Sequence, residues 1–434
     1  MFLDRKDRAG ERALMTALPM TAHKRVLLAS LIGTSVEFYD FYIYATAAAL
    51  VFGPLFFPAE DQSAQLLLSY ASFGLAFIAR PVGAAIFGHF GDRIGRKSTL
   101  VASLMLMGGS TVAIAFLPTY AQIGWVAPLI LCILRFGQGL GLGGEWGGAA
   151  LLAVENAPPG WRNRYGMFPP LGAPVGFIAA NGFFLILGAT LTDAQFRDWG
   201  WRIPFLASAV LVALGLWVRL KLTETPAFLE AAAQEKLPRV PIVTLFRDHL
   251  RPTLAGIFGV VACFAVFYLA TAFALGYGTT VLGHGRQAFL AIELAAILFL
   301  AGGVIVASVL ADKHNAMTML RWGFAGAAVS GLLMGPMLGA ASLFVVFLWL
   351  AFSLFVMGFA YGPLGGWLPE LFPAEVRYTG VSMTFNVGGI LGGAMAPIVA
   401  SWLAGKGGLG LVGVYLMVAG LLSFGGLALL RKRG

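Results

Sequence analysis

Twelve runs of mostly apolar residues, separated by short polar joints, constrain this 434-residue chain more than any other feature. They are Val26–Phe52, Ala64–Phe90, Ser98–Leu117, Trp125–Val154, Tyr165–Leu187, Trp201–Leu220, Pro252–Leu275, Ala288–Leu310, Met317–Leu338, Leu343–Trp367, Val381–Leu403 and Leu411–Leu430. A helix of about 20 such residues crosses the hydrocarbon of a bilayer, about 30 Å thick. The runs do not alternate with period two, which excludes a barrel. The fold class expected is therefore an all-α membrane protein with twelve transmembrane helices. The chain is 59% hydrophobic and 11% charged, less than half the charge of an ordinary soluble domain. Its 57 glycines suit membrane helices that pack backbone to backbone. Cys132 and Cys263 lie inside apolar runs and can form neither a disulfide framework nor a zinc site.

The net charge of +9 does not point to nucleic acid, because the basic residues sit in short clusters between the apolar runs. With both ends inside, the inner side receives 23 Lys and Arg against four outside, so both termini are expected in the cytoplasm. The first apolar stretch is long and carries Glu37 and Asp40, which reads as a retained helix and not a cleaved signal. The longest polar interruption, Lys221–Arg251, divides the spans six against six. The organisation expected is a cytoplasmic tail (1–25), an N-terminal six-helix half (26–220), a central linker (221–251), a C-terminal half (252–430) and a tail (431–434). Within the linker, Ala227–Glu235 reads either as a short amphipathic helix on the membrane or as a solvated tether.

The halves echo each other. Gly88-His-Phe-Gly-Asp92-Arg93 after the second run matches Ser308-Val-Leu-Ala-Asp312-Lys313 after the eighth, 220 residues on. Glu155 and Arg162, seven apart, match Glu370 and Arg377, 215 residues on. Two parallel six-helix halves are the layout of one large transporter class. Gly88-His-Phe-Gly-Asp-Arg-Ile-Gly-Arg-Lys97 resembles the signature loop of the major facilitator superfamily. Glu37-Phe-Tyr-Asp-Phe-Tyr42, Arg80-Pro-Val-Gly83, Arg135-Phe-Gly-Gln-Gly139, Gly143-Gly-Glu-Trp-Gly-Gly148, Gly200-Trp-Arg-Ile-Pro-Phe205 and Glu224-Thr-Pro226 resemble its metabolite:proton symporter family, which includes shikimate, α-ketoglutarate, citrate and proline/betaine transporters. The resemblance implies two pseudo-symmetric halves and proton-coupled uptake of a small polar metabolite by alternating access. It implies no cofactor, with a small-molecule substrate, a proton and the bilayer as partners. The chain would be a monomer in the cell inner membrane. One departure, Lys313-His-Asn315 where Arg-x-Gly is expected, implies a weaker gate in the C-terminal half.

Ionisable groups inside spans are costly, so each is a functional candidate. Glu37, Asp40, Arg80, Arg135 and Glu145 qualify, with Glu293 nearer the outer end of its span. Asp40 lies 15 residues past Arg25, roughly 22 Å along a helix, and Arg135 ten past Trp125, roughly 15 Å. Both fall near mid-membrane. Arg135, Gln138, Leu142 and Glu145 share an arc of about 80° that would face a central cavity. Burial and a nearby cation pull a carboxyl's proton affinity in opposite directions, so Asp40, and after it Glu37, is the expected proton-coupling group. A fixed Asp40–Arg135 ion pair is the structural alternative. Arg135 is the expected anion-binding residue, because a guanidinium forks onto a carboxylate. Gln138, Glu145, Tyr44, Tyr361 and Asn386 are further candidates for contact with solute. Arg80 reads as structural, the donor for a helix break at Pro81 and Gly83. Trp367 and Tyr277 read as interfacial belt.

Asp92, Arg96, Glu155, Arg162, Glu370 and Arg377 form the expected cytoplasmic gate. No phosphate-binding loop, metalloprotease motif or nucleophile elbow is present, and no enzyme is expected. The alternatives to symport are a proton/drug antiporter, which would want a complete glycine-proline motif where Gly172-Ala-Pro-Val-Gly176 is partial and reads as a hinge or packing feature, and a non-transporting membrane sensor.

Overall fold

The computed structural model describes residues 20–60, 62–94, 96–220, 241–373 and 376–430. The expected helix at Ala227–Glu235 and most of both tails lie outside them. In the N-terminal half, α1 runs through Met20–Ala47, a π turn at Ala48–Phe52 and Gly53–Phe56. α2 is Gln62–Ile94 and α3 is Arg96–Ala115. α4 comes in two pieces, Val126–Leu142 and Glu145–Glu155. α5 is Phe168–Thr190, entered through the short helix Arg162–Gly166, and α6 is Arg202–Leu220.

In the C-terminal half, α7 runs through Leu250–Tyr268, a π turn at Leu269–Phe273 and Ala274–Thr280. α8 is Arg286–Lys313, α9 Ala316–Leu338 and α10 Leu343–Glu370. α11 begins at Arg377–Gly389 and continues through a π turn at Ile390–Ala394. It ends where the helix Met395–Gly426 breaks at Gly407 and Gly408, and α12 follows. Gly408 has φ +70°, a left-handed conformation that glycine adopts without a Cβ clash.

Eight described helices, nine with one bent pair, are long and apolar enough on their own to cross a membrane. One of these is the 54-residue stretch Arg377–Leu430, which folds back at the glycine break. With α3 and α9 added, the rods are consistent with the twelve expected.

The halves share one packing plan. α1 lies on α5, α2 on α4 and α3 on α6, while α7 lies on α11, α8 on α10 and α9 on α12. The halves meet through α5 with α8 and α2 with α11. Even the π turns of α1 and α7 correspond, 221 residues apart. Glycines set the closest approaches. A methyl group at Gly83 or Gly139 would run into the facing backbone of Leu140 or Ala76, so α2 and α4 nearly touch. Gly303 and Gly358 do the same for α8 and α10. This backbone contact supplies the dispersion and packing that hydrophobicity cannot supply inside lipid.

Two sequence expectations change here, and the reading of the partial glycine-proline motif as a packing feature agrees with the structure. α2 is helical straight through Pro81, so no break needs Arg80 as a donor. Trp367 is buried against Gly259 of α7 and does not sit in an interfacial belt. α5 is helical through the partial glycine-proline motif, and its Gly172 and Gly176 pack on Thr34, Ser35 and Tyr39 of α1.

Candidate functional site

The centre of the molecule is an aromatic cage around two cations. The Arg135 guanidinium of α4 lies 4.2 Å from the Phe41 ring centre, 4.1 Å from Tyr44 and 4.9 Å from Phe73. The Arg80 guanidinium of α2 lies 4.3 Å from Phe41 and 4.6 Å from Phe77. Cation–π contacts of this kind hold a desolvated guanidinium without neutralising it. Across the interface, Tyr268 of α7 packs edge-on against Phe41, Phe73 and Phe77, and Phe264 edge-on against Phe77. Arg135 is fully buried and Arg80 nearly so. The Nη2 of Arg135 and the Nε of Arg80 have no hydrogen-bond partner. Two buried cations with unused donors have the chemistry to hold an anion. Arg80 therefore joins Arg135 at the centre; its position next to Pro81 concealed this in the sequence.

Asp40 is placed differently from expectation. It is buried among α1, α3 and α6, within the N-terminal half. Its Oδ1 accepts from Ser208 Oγ at 2.5 Å and its Oδ2 from Thr111 Oγ1 at 3.1 Å. Asp40 and Arg135 do not form an ion pair. They are joined by a relay in which Arg135 donates to Gln138 Oε1 at 2.9 Å, and Gln138 Nε2 donates to Thr111 Oγ1 at 2.7 Å. Gln138 thus faces α3. So does Glu145, which accepts from Ser103 Oγ at 2.6 Å. Of the polar stripe expected along α4, Arg135 reaches the cage between the halves, whereas Gln138 and Glu145 face α3. Tyr44 shares a hydrogen bond with Ser72 at 2.8 Å, and Glu37 is buried within electrostatic reach of Arg80.

The break in α4 has a use of its own. A helix end leaves carbonyls without intrahelical partners. Asn386 of α11 donates to Gly143 O at 2.6 Å, and Tyr378 to Gly144 O at 2.6 Å. One turn on, Trp146 donates to the Tyr361 hydroxyl at 3.0 Å and stacks on Phe385 at 3.8 Å. Tyr361 and Asn386 hold the halves together on one side of the cage.

Beyond them lies the end that carries Arg162, Lys313 and Arg377. Arg162 pairs with Glu370 of the other half at 3.2 Å and donates to Gly366 O. Asp312 is more deeply engaged. Its carboxylate accepts from the Asn163 backbone N–H at 2.8 Å, the Asn163 side chain at 3.0 Å and the Arg164 N–H at 3.1 Å, and it lies 3.5 Å from Arg164 Nε. Asp312 thus carries the contacts that follow the departure at Lys313-His-Asn315. Arg377 donates to Phe372 O in its own half, and Glu155 is exposed. The side chains of Asp92 and Arg96 lie outside the described residues. At the opposite end, Arg286 of α8 pairs with Asp193 at 2.9 Å, and Tyr70 of α2 donates to Ala272 O of α7 at 2.5 Å. The halves therefore meet at both ends and enclose the cage.

Residues 26–239 match the family described as Sugar (and other) transporter. The inner membrane metabolite transport protein YhjE of Escherichia coli (strain K12) is 51% identical over 93% of each chain. The shikimate transporter of the same organism is 36% identical over 94% of each chain. Among solved structures, the proton:xylose symporter XylE bound to 6-bromo-6-deoxy-D-glucose superposes with a TM-score of 0.72 at 17% identity, over 93% of this chain and 94% of that one. On the motifs, the two-half fold and these relatives together, the chain belongs to the major facilitator superfamily and, within it, to the metabolite transporters.

Proposed function

We propose that the chain is a proton-coupled symporter that takes up a small organic anion across the inner membrane by alternating access, with no cofactor. The observation that carries this reading is the pair of buried guanidiniums, Arg80 and Arg135, each with an unused donor inside the aromatic cage. A carboxylate entering between them would satisfy both. The similarity to a shikimate transporter supports an organic acid as cargo. The excess of Lys and Arg at the Arg162/Asp312 end supports placing that end, and both termini, in the cytoplasm.

Asp40 is the coupling group joined to the anion site by hydrogen bonds. The relay through Gln138 and Thr111 would let charge arriving at Arg135 alter how Asp40 holds a proton, and the coupling is reciprocal. Proteoliposomes with an inward proton gradient, offered shikimate and a panel of mono- and dicarboxylates, test the reading. Accumulation that collapses on adding an uncoupler is the expected result. Accumulation indifferent to the uncoupler, or confined to neutral solutes, would sink it.

A further inference from the structure

One buried charge stands apart from the cage. Glu293 lies on α8, two turns or roughly 10 Å beneath Arg286. It is 1% exposed, and its Oε1 has no hydrogen-bond partner. It faces a cavity between the halves, lined by Tyr42 and Thr46 of α1, Phe177 of α5, and Thr271, Ala272 and Leu275 of α7. The cavity has room for about one water molecule. Two of the wall residues, Thr271 and Ala272, belong to the π turn of α7, a distortion frequent at functional sites.

We propose that Glu293 is a second proton-binding site, whose protonation licenses closure of the outer end. The cavity is walled by both halves, so parting the Arg286–Asp193 and Tyr70–Ala272 contacts would open it to the outside. An unpaired carboxylate anion sealed into apolar surroundings is strongly disfavoured, whereas the neutral acid is tolerated. The outer end therefore closes once Glu293 has taken a proton. The water-sized cavity suits a proton and leaves no space for an organic head group. The titratable groups facing it are the phenols of Tyr42 on α1 and Tyr70 on α2. The walls from α5 and α7 supply none, and on α10 the titratable Tyr361 and Glu370 lie towards the cytoplasmic end. No basic residue lines the cavity to hold the carboxylate as an anion.

The inference rests on the symport reading but is tested without substrate. Spin labels at Thr190→Cys and Val281→Cys, exposed positions at the outer ends of α5 and α7, report the outer opening in a full-length chain carrying Cys132→Ser and Cys263→Ala. With one linked proton, the open-to-closed ratio falls up to about tenfold per unit drop in pH. Glu293→Gln should be closed at every pH, and Glu293→Asp should keep the response with a displaced midpoint. An unchanged response in Glu293→Gln overturns the proposal; if that variant does not fold, an unchanged midpoint in Glu293→Asp does. Closure at constant pH on adding glycine betaine, lost in Glu293→Gln, with no response to pH, overturns it in favour of a cationic head-group site. Loss of uncoupler-sensitive accumulation with the pH response intact would instead count against the symport reading alone.

Discussion

The two halves share a packing plan and differ in chemistry. Among the described residues, Glu37, Asp40, Arg80, Arg135 and Glu145 are buried in the N-terminal half, whereas the C-terminal half buries Glu293 and, at one end, the side chain of Asp312. The same arrangement of α1–α6 and α7–α12 therefore serves two purposes. One half holds two cations and a hydrogen-bonded carboxylate. The other supplies aromatic walls, through Phe264, Tyr268 and Tyr361, and contacts that close both ends. Structural symmetry gives the halves matched surfaces to rock upon. Chemical asymmetry keeps the cationic centre on one side of the interface, so that separation of the halves uncovers it without tearing the Arg135–Asp40 relay.

That contrast can be broken most directly at its cations. Arg135→Lys keeps the charge but loses the fork, the stacking and the bond to Gln138. Charged hydrogen bonds contribute about 1.5–3 kcal/mol each, so losing about two predicts anion binding weaker by at least roughly 150-fold. Competition binding to purified protein checks it, and near-normal affinity would relocate the site.

Asp40→Asn preserves shape but cannot cycle a proton. For one net charge carried inward, accumulation driven by a 100 mV potential is about fifty-fold. The variant should equilibrate its substrate and stop there, while counterflow continues. Retained accumulation would move coupling away from the N-terminal half.

The next two effects concern the C-terminal half as a closing device. The Asp312 side chain is only 3% exposed and accepts three N–H groups. Asp312→Asn should cost about 1–3 kcal/mol of closure, opening that end about five- to 150-fold as read by thiol accessibility. Asn386→Leu orphans the Gly143 carbonyl and should cost about 1 kcal/mol, near fivefold in the same assay.

The smallest effect is expected at the Arg162–Glu370 pair, whose side chains are 37% and 54% exposed. Glu370→Gln should shift the equilibrium by less than about fivefold, less still at high salt. An effect as large as that of Asp312→Asn would mean that exposure misjudges the gate.

Several features were legible from residue order. The repeat offset between Asp92 and Asp312 matches the offset of the π turns, because both follow from one duplicated helix plan. The glycine run 137–143 could be read as packing, and Gly139 does lie against the backbone of Ala76. The mid-helix positions of Asp40 and Arg135 also follow from counting residues along a helix. Their partners do not. Thr111 and Ser208, which hold Asp40, lie 71 and 168 residues away and are ordinary hydroxyl residues in apolar helices, with no local signal. The arc of Gln138 and Glu145 was projected on an unbroken α4, and the break at Gly143 and Gly144 turned its consequence from a cavity lining into a docking point for α11.

The sequence by itself determined that the chain is a bundle of membrane helices in two parallel halves, because hydropathy, basic clusters and repeats act locally along the chain. It also marked which ionisable groups lie at membrane depth. Tertiary structure alone decided what those groups face. Arg80 turned from a helix-break donor into half of a cationic pair, Asp40 from a cavity group into the end of a relay, and Glu293 from a marginal candidate into a buried acid with an unpartnered oxygen at a water-sized cavity. The physical reason is that a buried charge takes its character from desolvation and from the few donors within about 3 Å. Those neighbours come from helices distant in sequence, and only their packing brings them into place.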